Sequence, residues 1–84
     1  MPEEKAKIEY PCIWEYKVFG IDEAAIRTVA AGILEDRTYD IKFSKHSVSG
    51  KYVSMSVTTF VEDEASRNRI FKAFKEHVAV KYVL

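Results

Sequence analysis

Three side chains, Cys12, His46 and His77, are the first places to look for chemistry in this chain. A single thiol can form neither an intrachain disulfide nor a multi-cysteine metal site. Cys12 reads as a small buried hydrophobe, and a lone unpaired cysteine suits the reducing cytoplasm. The two histidines lie far apart, and no Asp or Glu stands near either at ligand spacing. No metal and no cofactor are therefore expected. His46 reads as a surface residue beside a loop. His77 reads as a partly buried residue that closes a helix end. No nucleophile–base pair is present, so the chain is not expected to be an enzyme.

Charge excludes further classes. Thirteen basic and thirteen acidic residues cancel. Nucleic-acid binders usually carry a basic excess, so neither nucleic acid nor an anionic membrane is an expected partner. Lys42, Lys45, His46 and Lys51 are locally basic. They read as solvated lysines that discourage edge pairing, or as a site for an anion or an acidic partner. Residues 1–9 mix Glu and Lys without an apolar core, so they read as a flexible tail and not a signal peptide. No apolar run approaches the roughly 20 residues needed to span a bilayer.

The elements that must position these residues follow from periodicity. With 84 residues, 48% hydrophobic and 31% charged, the chain makes one domain over residues 10–84. Trp14, Tyr16 and Val18 alternate with Glu15 and Lys17, the period of a half-buried strand within 11–20. Asp22 is a good N-cap for a helix over 22–36. Ile21 and Ile26 have the spacing of a hydrophobic staple, and Ile26, Val29, Ala30, Ile33 and Leu34 form one apolar stripe. Ile41 and Phe43 mark a strand over 39–47, and Gly50 a turn. Val53, Met55 and Val57 alternate with Ser54, Ser56 and Thr58 within 51–61, so helices should cover one side of the sheet only. A second helix over 63–77 has acid at its start and base later, matching the macrodipole. Its predicted buried stripe is Ile70, Phe71, Phe74 and Val78. Val80, Tyr82 and Leu84 supply a last strand over 78–84.

The order βαββαβ is the ferredoxin-like arrangement, an α+β sandwich. The expected sheet is four-stranded and antiparallel, ordered 4-1-3-2, with both helices on one face. Trp14, Val18, Ile26, Val29, Ile33, Val53, Met55, Val57, Ile70 and Phe74 are its predicted core. Chemistries known on this topology do not fit. Acylphosphatases need an arginine in the loop after the first strand to clamp a phosphate. Here that loop is Phe19-Gly20-Ile21-Asp22-Glu23, which is acidic. Heavy-metal carriers place two cysteines there, and this loop has none. RNA-recognition domains stack bases on open-face aromatics. Gly50-Lys51-Tyr52-Val53 starts like their signature, but Ser54 and Ser56 then take the stacking positions.

Two surfaces remain as candidates for interaction. Ala25, Thr28 and Gly32 lie on one side of the first helix at spacings of three and four, where small side chains would let another backbone approach. Ser47, Gly50, Lys51 and Tyr52 fall on an exposed turn, where recognition residues concentrate.

Tyr10-Pro11 leading into Tyr16-Lys17-Val18-Phe19-Gly20, then Ser47-x-x-Gly50-Lys51-Tyr52-x-Ser54, and finally Val83-Leu84 resemble the YbeD-like family of small bacterial proteins of unknown function. The resemblance spans residues 10–84. It implies a fold close to the ACT regulatory domain, which binds amino acids or other small effectors near the loop after the first strand. Gly20, Ile21 and Asp22 are the ligand-binding residues it suggests. Ile21-Asp22-Glu23 departs from that pattern by placing acid where an ACT ligand's own carboxylate sits. The expected function is a non-enzymatic regulatory or protein-interaction module, acting with a protein partner or as a homo-oligomer. A small-effector sensor is the alternative.

Overall fold

A computed structural model describes residues 8–46 and 51–84. The elements run β1 (Cys12–Gly20), α1 (Glu23–Ile33), β2 (Tyr39–His46), β3 (Val53–Val61), α2 (Glu64–Lys75) and β4 (Val80–Val83). The sheet order is β2-β3-β1-β4, and every neighbouring pair is antiparallel. This is the 4-1-3-2 order expected of a ferredoxin-like fold.

One face of the sheet carries the core. Tyr16 and Val18 of β1 are buried, as are Val53, Met55, Val57 and Val61 of β3. Against them lie Ile26, Val29, Ala30 and Leu34 from α1 and Ile70 and Phe74 from α2. Both helices thus bury their stripes on the same face. Trp14 and Ile33, predicted as core, are only partly buried at its margin.

Capping follows the acidic residues that precede each helix. The Ala25 N–H donates to Asp22 Oδ2 at 3.3 Å, and the Ser66 N–H donates to Asp63 Oδ1 at 2.8 Å. Each carboxylate satisfies a backbone donor that the helix leaves unpaired. Ser66 holds the Asp63 carboxyl below its ordinary value. Ile21 has the staple spacing but stays exposed, 61% open to solvent.

The end of α2 and the strand β4 both depart from simple periodicity. Val78 is 91% exposed, because α2 ends earlier than periodicity suggests. Glu76 is its C-cap, the His77 N–H donates to the Phe74 carbonyl at 3.1 Å, and the chain turns away toward β4. His77 leaves the helix with it and is exposed rather than partly buried. In β4, Val80 and Val83 are buried while Tyr82 and Leu84 are exposed. The cause is a bulge. Phe19 pairs with Tyr82 and Gly20 with Val80, so Lys81 is an extra residue. An extra residue in a strand reverses its alternation from that point on.

Tyr16 is the largest fully buried side chain. Its hydroxyl donates to the Arg67 carbonyl at 2.8 Å, joining β1 to α2. Burial pushes its pKa up to about 12 against the opposing pull of Arg67 and Arg37. The folded state therefore holds this proton more tightly than the unfolded chain does. Its contribution to stability is complete below pH 10 and is lost as the pH rises from 10 toward about 12. Tyr16→Phe is expected to cost about 1 kcal/mol at neutral pH and to flatten that alkaline fall. Urea unfolding at neutral and alkaline pH measures both. An unchanged alkaline slope in the variant would assign the fall to other groups.

Candidate functional site

The three residues suggested as a ligand loop follow one another at the end of β1, and the fold engages Gly20 and Asp22 but not Ile21. Gly20 is buried, and a Cβ there would lie 2.8 Å from the Ala79 carbonyl oxygen and 3.0 Å from Ile26 Cδ1. Its missing side chain lets the segment before β4 close over the strand. Asp22 caps α1, and Ile21 projects into solvent.

Ala25, Thr28 and Gly32 do share one surface. With Val29, Ile33, His77 and Ala79 they line a shallow depression of about 400 Å³. Its polar groups are largely engaged. The Thr28 hydroxyl donates to the Ala24 carbonyl at 3.0 Å, and His77 Nδ1 accepts from the Ala79 N–H at 3.1 Å. A Cβ on Gly32 would meet nothing within 4 Å. Gly32→Gln is thus expected to raise stability by under about 1 kcal/mol, because Gln is the better helix former. Denaturant unfolding reads that gain. A more stable variant with unchanged association would remove this face as an interface.

The turn surface is only partly visible. Ser47 and Gly50 lie outside the described residues. Lys51 is exposed, Tyr52 is 39% exposed, and both precede β3 rather than belonging to it.

A fourth surface, absent from the sequence-based expectations, is the helix-free face of the sheet. Register places Ile13 beside Phe60 at one end and Phe19 beside Tyr82 at the other. Ile13 is 63% exposed, Phe60 45% and Tyr82 54%. The Phe19 and Tyr82 rings are 5.1 Å apart. Between these ends lie Glu15, Lys17, Ser56 and Thr58. Ser54 also belongs to this face by register, yet it is buried, flanked by Phe19 and Lys45. The signal was present in the sequence, since Ile13, Phe19 and Phe60 occupy positions that alternation assigns to solvent.

Elsewhere, polar contacts fasten loops and helices. The Arg67 guanidinium lies 4.6 Å from the centre of the Trp14 ring. Arg37 donates to the Phe60 carbonyl and to Glu62 Oε1, each at 3.1 Å. Glu62 is held below the usual carboxylate range by its own backbone N–H, then by Arg37 and Ser66. No group of three or more His, Cys, Asp or Glu side chains placed to hold a metal ion occurs among the described residues.

Comparison with known proteins agrees with this fold. The family described as "Protein of unknown function (DUF493)" matches residues 5–84. The uncharacterized protein Cj0253 of Campylobacter jejuni is 33% identical over 81 residues, covering 96% of this chain and 91% of its own. A UPF0250 protein of Hahella chejuensis is 32% identical over 87 residues, covering 96% of this chain and 93% of its own. The solution structure of protein HP0495 from Helicobacter pylori superposes with a TM-score of 0.81 at 27% identity. That match covers 100% of this chain and 94% of the other. Family match, relatives and fold agree, and the chain belongs to the DUF493, or UPF0250, family of small YbeD-like bacterial proteins of unknown function.

Proposed function

We propose that this protein is a non-catalytic, cytoplasmic interaction module that docks a protein partner on the helix-free face of its sheet. The observation that carries this reading is the exposure of Ile13, Phe60 and Tyr82 on that face. Ile13 with Phe60 at one end and Phe19 with Tyr82 at the other form two exposed apolar clusters, and such clusters mark protein contact sites. The ionisable groups with displaced pKa values support a structural rather than catalytic use. Tyr16 is displaced by burial, and Glu62 and Asp63 by hydrogen bonds at the start of α2.

Crosslinking in a bacterial lysate tests the reading with wild type, Ile13→Asp, Tyr82→Asp and, on α1, Arg27→Ala. A partner retained by wild type and by Arg27→Ala should be lost from both open-face variants. Identical capture by all four proteins would refute the assignment.

A second reading, a small-effector sensor, is favoured by the depression between α1 and the segment His77–Ala79. Its volume falls within the range of small-molecule sites. Amino acids and nucleotides at saturating concentration should then raise Tm, and Gly32→Trp should abolish the rise.

A further inference from the structure

Among the described residues β2 is an outer strand, with β3 beside it on one side only. An outer strand presents backbone donors and acceptors that another strand can pair with. Its first five residues, Tyr39-Asp40-Ile41-Lys42-Phe43, form a pattern that complements itself in reverse: aromatic, acid, aliphatic, base, aromatic. Register separates these residues by face. Tyr39, Ile41 and Phe43 stand opposite Thr59, Val57 and Met55 on the helix side, and Asp40 and Lys42 opposite Thr58 and Ser56 on the open side. The Lys42 and Asp40 side chains are 75% and 66% exposed and only loosely paired with each other at 3.9 Å.

We infer that this stretch is a self-pairing edge, through which two copies of the chain join antiparallel about a two-fold axis at Ile41. Asp40 of each copy then faces Lys42 of the other, Tyr39 faces Phe43, and the two Ile41 side chains meet. A two-fold interface repeats every contact twice, so two ion pairs form. The charges also select the register. If the two sheets continue with helices on the same side, only shifts by two residues keep like faces together. A shift of two in one direction sets Asp40 against Asp40, and in the other Lys42 against Lys42. Like charges directly opposite are destabilising. The matching stretch ends at the bulge, where Phe43 pairs with Met55 and Lys45 with Ser54, leaving Ser44 extra. The opposite edge, β4, has four residues and its own bulge, so it offers no comparable run. Lys42 thus has a complement for a second copy while remaining a deterrent to other strands. Pairing at this edge goes beyond the docking role of the open face and leaves that face uncovered, doubled across a continuous sheet.

The contact is small, so the dimer should be weak and concentration-dependent. Sedimentation equilibrium at low ionic strength, from about 1 μM to 1 mM, tests it with four proteins. These are wild type, Asp40→Lys, Lys42→Asp and the double variant Asp40→Lys/Lys42→Asp. Wild type should pass from monomer to dimer across that range. Each single variant should weaken dimerisation about tenfold or more, since both crossing pairs become repulsive. The double variant should recover wild-type affinity, and an equimolar mixture of the two single variants should form a mixed dimer. All four should share one circular-dichroism spectrum and nearly one Tm. A wild type monomeric at the highest concentration would overturn the inference. So would dimerisation indifferent to the single reversals, or a double variant that fails to recover.

Discussion

Phe74→Ala is expected to cost about 3–5 kcal/mol. Phe74 is completely buried on α2, and its ring packs against that of Tyr16 with centroids 5.9 Å apart. Removing it takes away the apolar contact and leaves a cavity between α2 and β1. The loss would also reach the Tyr16 hydroxyl, which is aimed at the Arg67 carbonyl from the same region. Domains hold only about 0.05–0.15 kcal/mol of stability per residue, so a chain this short has little reserve. The variant should be largely unfolded near physiological temperature, read by urea titration of the near-ultraviolet signal. A loss below about 1 kcal/mol would mean that the site collapses around the gap.

Gly20→Ala is the second large effect, from the opposite cause. The added methyl would sit 2.8 Å from a backbone carbonyl, that of Ala79, and 3.0 Å from two carbons of Ile26. Ile26 is completely buried and the carbonyl belongs to the main chain, so neither gives way easily. Overpacking of this kind costs about 1–3 kcal/mol. The strain should fall on the pairing of β1 with β4, so hydrogen exchange there should quicken more than on the β1–β3 side. Stability within a few tenths of a kcal/mol of wild type would show that the Ala79 segment can move aside.

The fold was legible because β1, β3 and the helices obey simple periods. Val53, Met55 and Val57 face inward as alternation requires, and Asp22 caps α1 as its type and place suggest. Reading failed where a single residue changes the period. Lys81 is inserted in β4, so Val83 faces inward instead of Tyr82. Periodicity runs past the end of α2 because neither Gly nor Pro marks it, and Val78 continues an apolar spacing after the helix has stopped. Alternation marks Tyr16 as part of a strand but not as the centre of the core, because its hydroxyl partner is a main-chain carbonyl that no pattern reveals.

The surfaces were harder. Glu15, Lys17, Ser54 and Ser56 made the open face look uniformly polar, whereas its apolar members stand at the ends of the strands. Their grouping depends on pairing Ile13 with Phe60 and Phe19 with Tyr82, and pairing is a tertiary fact. The packing around Gly20 is hidden from the sequence for the same reason. That Gly20 is covered by Ala79 depends on where β4 returns to the sheet.

The central place of β1 also governs how this chain folds in time. β2 and β3 are sequence neighbours, and so can zip early. β1 must wait for partners far along the chain, since Gly20 pairs with both Val53 and Val80. Loop-closure entropy is spent before those pairings return any stabilisation, and such non-local contacts slow folding. On this topology the sheet is expected to grow from the β2–β3 pair across β1, with β4, the opposite edge, joining last.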